Sequence, residues 1–159
     1  MRNKLANLGN GAHALAMQIL GNADDAQDAV QDAFERVLRQ PESYQPAKGT
    51  LKSWFLTIVR NGCIDQLRGR RTTEHQVERL LDAAPPPEQV AMNTERDSGV
   101  RAALAELPNE QRQILVLRDY LDLSYNELAS VMDIPKGTVM SRLHRARLAL
   151  KKGLENYDC

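Results

Sequence analysis

Between Thr72 and Gly99 the chain shows no sustained apolar periodicity, carries Pro85-Pro86-Pro87, and holds six acidic side chains against two basic ones. Each proline fixes φ and removes a backbone donor, so this stretch favours an extended piece over a packed element. It reads as an interdomain linker, and it divides the 159 residues into two short pieces, 1–71 and 100–159. Pieces of that size bury only small cores. Hydrophobic residues make up 42% of the chain and aromatics only 4%, which points to aliphatic helix packing. Extended at ~3.3 Å per residue, the 28 residues of the linker reach about 90 Å.

The first piece reads as all-helical. Gly9 and Gly11 interrupt its opening, so the first helix is expected from Ala12 to Leu20, with Gly21 as its C-cap. Asn22 or Asp24 suits the start of a second helix, which runs to about Arg39 and stops before Pro41. Val30, Phe34, Val37 and Leu38 form its expected buried stripe. Asp24, Asp25, Asp28, Asp32 and Glu35 fall elsewhere, with no basic residue between Asp24 and Glu35. The loop Ser43 to Thr50 leads into a third helix, Leu51 to about Arg68, whose expected core residues are Trp54, Ile58, Ile64 and Leu67. Around Trp54 stand Tyr44, Lys48, Lys52, Arg60, Asn61 and Arg68, a mix of aromatic, basic and amide groups that suits single-stranded DNA.

The second piece begins near Val100. Leu107 precedes Pro108, a residue suited to a first helical turn, and Ile114, Leu115, Leu117 and Leu121 supply a buried side. Ser124-Tyr-Asn-Glu127 fits a capping box. Leu128, Ala129 and Met132 are expected inside, before a tight Asp133-Ile134-Pro135 break. After it Val139, Leu143, Ala146 and Leu150 share one face, leaving Thr138, Ser141, Arg142 and Arg145 outward. From Lys136 to Lys152 there are six Lys or Arg residues (Lys136, Arg142, Arg145, Arg147, Lys151, Lys152) and no acid. Two helices, a tight turn and a basic second helix are the layout of a helix-turn-helix that enters a DNA groove.

Net charge hides this, because 21 basic and 21 acidic residues cancel. Split by segment, residues 1–71 carry 10 basic and 7 acidic groups, residues 72–99 carry 2 and 6, and residues 100–159 carry 9 and 8. No apolar run approaches the ~20 residues needed to span a bilayer, and no signal peptide is legible. Cys63 and Cys159 form neither a disulfide framework nor a metal-ligand pattern. His13, His75 and His144 are scattered, and there is no nucleophile–base pairing or phosphate-cradling glycine loop. The expectation is a cytoplasmic, reduced, non-enzymatic protein without metal or cofactor. A metal reading of the acidic helix fails because one helix diverges and offers no second ligand-bearing element. Docking to a basic protein surface fits better; a purely solubilising face is the alternative the residues leave open, and the absence of Lys or Arg before Arg36 favours docking.

Three blocks then carry a resemblance: Asp25-Ala-Gln-Asp-Ala-Val-Gln-Asp-Ala-Phe34; Gly49-Thr-Leu-Lys-Ser-Trp-Phe-Leu-Thr-Ile-Val-Arg-Asn-Gly-Cys-Ile-Asp65; and Leu107-Pro with Ile134-Pro-Lys-Gly-Thr-Val-Met-Ser-Arg-Leu-His-Arg-Ala-Arg147. In this order the chain resembles bacterial sigma factors of the extracytoplasmic-function group. The resemblance implies an all-α protein: a region 2 helical bundle (1–71), an acidic linker (72–99) and a region 4 helix-turn-helix domain (100–159). It implies partners as well, namely the RNA polymerase core through its β′ clamp helices and β flap, promoter DNA, and an anti-sigma factor.

Carried onto this sequence, the resemblance assigns Asp24, Asp25, Asp28, Gln31, Asp32 and Glu35 to the polymerase clamp. Tyr44, Lys48, Lys52, Ser53, Trp54, Arg60, Asn61 and Arg68 are assigned to the −10 element, where the loop Tyr44–Thr50 captures a flipped base. Ser124, Tyr125, Lys136, Gly137, Thr138, Ser141, Arg142 and Arg145 are assigned to the −35 element. The competing readings are a stand-alone helix-turn-helix regulator and a helical adaptor that binds only protein. The acidic helix and the aromatic-basic third helix have no task in a simple repressor.

Overall fold

The computed structural model describes residues 2–73 and 95–157 and divides the chain into two units, each packed by itself. Within those residues every regular element is helical. The run Pro85 to Pro87, His75 and Cys159 lie outside the described residues.

The first unit is a three-helix assembly in which α1 (Arg2–Leu20), α2 (Ala23–Arg39) and α3 (Leu51–Thr73) all touch one another. α1 is continuous through Gly9 and Gly11, contrary to the expected start at Ala12. Leu5, Ala12, Leu15, Ala16 and Ile19 bury its inner side, and that burial outweighs the ~1 kcal/mol a helical glycine costs. Gly9 lies beside the Phe34 ring, where an added Cβ would make an ordinary contact at 3.6 Å. Gly21 ends α1 at φ 73°, a left-handed position that glycine occupies without strain, and its N–H reaches Met17 O at 2.8 Å.

Asn22 is the N-cap of α2, its Oδ1 accepting from the Asp24 and Asp25 amides at 2.8 and 3.1 Å. The buried stripe is Ala26, Ala29, Val30, Ala33 and Val37. Leu38, expected inside, is 48% exposed, because the small alanines set the face of closest approach. In α3 the core face is likewise shifted from the expected one. Phe55, Leu56, Val59 and Cys63 are buried, whereas Trp54, Ile58, Ile64 and Leu67 are only half-buried. The Phe55 ring packs on Phe34 with centroids 4.7 Å apart, which fixes the phase.

In the second unit α4 (Glu95–Ala105) begins five residues before the expected Val100. A turn leads to α5 (Asn109–Leu115), with Pro108 at its N-cap position. Arg112 stitches this corner, donating from Nη1 to the carbonyls of Ala105 and Leu107. α5 widens into a π turn over Val116–Tyr120, where Leu121 N bonds Val116 O at 2.9 Å. α6 (Tyr125–Met132) and α7 (Lys136–Tyr157) follow.

α7 is the spine of this unit, touched by α4, α5 and α6. Val139, Leu143 and Ala146 seat it, while Leu150 is half-buried. A Cβ at Gly153 would meet Ala103 Cβ at 3.2 Å, so α4 and α7 approach closely there. Leu128, Val131 and Met132 bury α6; Ala129 and Leu121 are half-buried.

Candidate functional site

Three surfaces follow from these elements. On α2, Asp24, Asp28, Gln31, Asp32 and Glu35 are exposed and recur at three- and four-residue spacing, on the side away from the alanine stripe. Asp25 is half-buried. The acids continue into an open concavity lined by Asp32, Glu35, Arg36, Arg39 and Gln40, where Arg39 lies 3.5 Å from Glu35. This helix therefore presents a carboxylate face at its N-terminal and middle turns and mixed charge at its end. Asp24 and Asp25 also sit where the helix dipole favours negative charge.

The second surface is a corner at the start of α3. The segment Pro41 to Lys48 makes two short 3-10 turns, each opened by a proline. Thr50 then caps α3: its Oγ1 accepts from the Ser53 amide at 3.1 Å, and Ser53 Oγ donates to Thr50 O at 3.1 Å. Tyr44 closes the corner, its hydroxyl donating to Gly49 O at 3.3 Å and its ring lying 5.2 Å from that of Trp54. Both aromatic rings are half-exposed, with Lys48 at the surface beside them in sequence. Further along α3, Asn61 and Arg68 follow Trp54 at seven-residue steps, on the side away from Phe55, Leu56, Val59 and Cys63.

Two members of the expected DNA set do not reach the surface. Ser53 is 4% exposed and Arg60 8%. Ser53 spends its hydroxyl on the Thr50 cap, and Arg60 falls one seven-residue step further along the same buried flank. Lys52 is half-buried. Sequence reading missed the Thr50 cap, although Thr50-Leu-Lys-Ser53 has hydroxyls at the spacing that would show it.

The third surface is the helix-turn-helix. The capping box forms as expected: Ser124 Oγ accepts from Glu127 N at 3.1 Å and Glu127 Oε1 accepts from Ser124 N at 2.9 Å. Asp133 ends α6 in a left-handed conformation at φ 54°. Tyr125 is half-buried beneath the Arg118 guanidinium, 4.8 Å from its ring centroid. At the start of α7 Lys136, Gly137, Ser141 and Arg145 are exposed, Thr138 is half-buried, and Ser141 Oγ donates to Thr138 O at 3.0 Å.

The basic helix is less uniformly available than its sequence suggested. Arg142 Nη1 lies 3.2 Å from Glu110 Oε2, and Arg147 binds Asp119 through Nη2 at 2.5 Å and Nε at 3.3 Å. The hydrogen bond to Asp119 holds the Arg147 pKa above its ordinary value. α7 also runs past Lys152 to include Glu155. Sequence reading took His144 only as one of three scattered histidines and passed over Met140 and Leu148; the three share an exposed side, Met140 being 64% exposed. Their four-residue spacing was the signal.

Comparison with known proteins agrees with this geometry. Residues 7–73 match the Sigma-70 region 2 family and residues 99–150 match Sigma-70, region 4. The ECF RNA polymerase sigma factor SigM of Mycobacterium tuberculosis is 35% identical over 140 residues, 88% of this chain and 69% of that protein. The chain is an extracytoplasmic-function sigma factor by family. Another sigma factor, the ECF RNA polymerase sigma factor SigE of Mycolicibacterium smegmatis, is 35% identical over 151 residues; these are 92% of this chain but 58% of SigE. Among solved structures, this sigma factor resembles RpoE from Bartonella quintana, determined in complex with the anti-sigma factor NepR. That match has 26% identity and a TM-score of 0.75, over 97% of this chain and 96% of the other. Among the described residues of this sigma factor, no helix is long and apolar enough to cross a membrane.

Proposed function

We propose that this sigma factor is an RNA polymerase initiation subunit that takes core enzyme to specific promoters and assists strand opening, with no catalytic chemistry of its own. The observation that carries the reading is the joint presence, in one chain, of the carboxylate face on α2, the Tyr44–Trp54 corner and the basic α7. A regulator that only bound duplex DNA would need the last alone.

In this reading residues 1–71 form the polymerase- and −10-binding domain, 72–99 the linker, and 100–159 the −35-binding domain. Asp24, Asp25, Asp28, Gln31, Asp32 and Glu35 dock on the clamp helices of the β′ subunit, where opposite charge speeds association and fixes register. Tyr44 and Trp54 offer half-exposed rings on which an unstacked base of the melted strand can rest. Lys48, Asn61 and Arg68 follow its backbone. Ser124, Tyr125, Lys136, Gly137, Thr138, Ser141 and Arg145 meet the −35 duplex, with the start of α7 adding its dipole to phosphate contacts. Arg142 stands at the edge of that set, held by Glu110. The β flap is the further polymerase contact. The setting is the cytoplasm, and an anti-sigma factor holds the protein inactive, a reading supported by the likeness to RpoE, which was solved with one.

The test is in-vitro transcription with core polymerase on fragmented genomic DNA, followed by sequencing of the start sites. Starts that share two elements at fixed spacing upstream are expected. Selective duplex binding without any initiated transcript would overturn the reading in favour of a stand-alone regulator.

A further inference from the structure

α7 is seated by an aliphatic stripe, Val139, Leu143 and Ala146. Such burial is non-directional. It sets which face of the helix turns inward against α4, α5 and α6, and the polar groups that flank the stripe can refine the roll within that seat. Two arginines flank the stripe, Arg142 just before Leu143 and Arg147 just after Ala146. At ~100° per residue their five-residue separation places them about 140° apart around the axis, one on each side of the stripe. Each reaches a carboxylate near one end of the same preceding segment. Arg142 meets Glu110 in the first turn of α5, and Arg147 meets Asp119 in the π turn that ends it. Charge-assisted hydrogen bonds have the directionality that the stripe lacks, and the Arg147 pair is two-pronged.

We propose that Glu110 and Asp119 are positioning residues for sequence recognition. Through Arg142 and Arg147 they fix the roll of α7, so that its outward face, and not Arg142 itself, meets the base edges. The proposal rests on the reading of the second unit as a DNA-binding domain. Exposed pairs of this kind add little to stability, and here their effect is on aim: a helix whose roll is held less tightly shifts its outward side chains against the groove and discriminates less between sequences. The geometry also explains why an otherwise basic surface keeps two acids beside it. Each acid withdraws one guanidinium from the pool that would attract any phosphate.

The test uses the full-length chain and a duplex library with a randomised segment. The duplex enriched by the wild-type chain and a scrambled version of it then serve as probes. Glu110→Gln, Asp119→Asn and Arg142→Gln are each expected to lower the affinity ratio between the two probes by about two- to five-fold, with circular dichroism and melting unchanged. The exchanged pair Glu110→Arg with Arg142→Glu is expected to recover the ratio. The salt slope of Arg142→Gln is expected to equal that of the wild type. If the exchanged pair stays as poor as Arg142→Gln while the slope of Arg142→Gln falls by about one, Arg142 touches DNA itself and the proposal is wrong. An unchanged ratio in Asp119→Asn also overturns it. A wild-type chain that enriches no duplex would refute the underlying DNA-binding reading, an outcome distinct from selective binding that ignores the acids.

Discussion

Cys63 lies wholly inside the first unit, and burial pushes its thiol up to about 12 from an ordinary 9.0. The thiolate is the nucleophile, so iodoacetamide at pH 8 should label Cys63 of a Cys159→Ser chain only through unfolding. The labelling rate should rise with urea in step with loss of helix. Rapid labelling of the native chain would contradict the burial. As pH rises, the folded state keeps the Cys63 proton that the unfolded chain releases. Stability is therefore unaffected by this group below about pH 9 and declines between 9 and 12 as the unfolded thiolate is favoured. Trp54 carries the opposite expectation. Phe55, Leu56, Val59 and Cys63 hold the α3 core without it, so Trp54→Ala should leave helicity intact while slowing open-complex formation more than initial promoter binding, measured by permanganate footprinting against filter binding. Residue types around Trp54 were legible in the sequence; their directions were not. Ser53 and Arg60 look like surface groups in a polar-basic string. Only the phase of the helix, fixed by the Phe34–Phe55 contact 21 positions apart in sequence, turns them inward.

At the scale of elements, signals that act within a few residues were readable. Asn22, Gly21 and the Ser124–Glu127 box each satisfy backbone groups within five positions, so their chemistry is written locally. The continuity of α1 was not, because it rests on the burial of Leu5, Ala12, Leu15, Ala16 and Ile19 against helices distant in sequence. The same holds for the ion pairs of α7, whose partners lie 28 and 32 residues away. The acidic side of α2 is an element-scale device: its exposed carboxylates stand opposite the buried alanines. Asp28→Lys with Asp32→Lys should therefore leave circular dichroism and melting nearly unchanged while abolishing co-purification with polymerase core. Retention of core by the doubly reversed chain would remove α2 from the docking role. Loss of helix would show instead that the face is structural.

Over the whole molecule, each unit closes its own core. In the first, α1, α2 and α3 are mutually packed; in the second, α7 is clasped by α4, α5 and α6. Fragments 1–88 and 89–159 should each unfold in a single cooperative thermal transition when expressed separately, as small single domains usually do. A fragment that is helical but melts without a sigmoidal transition would show that one unit depends on the other. The two-domain plan was legible from the proline-bearing acidic middle, since the absence of an apolar period is visible directly. The ends of that middle segment were less so: α3 runs to Thr73 and α4 starts at Glu95, where polar side chains still suit helix.

The corner formed by Tyr44, Gly49, Thr50, Ser53 and Trp54 is tied together over a short stretch of chain. The hydrogen bonds from Tyr44 to Gly49 and between Thr50 and Ser53 join residues no more than five apart, and the ring contact joins residues ten apart. The alanine and phenylalanine packing of the three helices takes no part in those bonds. Substitutions at the exposed edge of the corner, Lys48 and the outer sides of Tyr44 and Trp54, can therefore shift its preference over generations while the bundle that carries it stays the same.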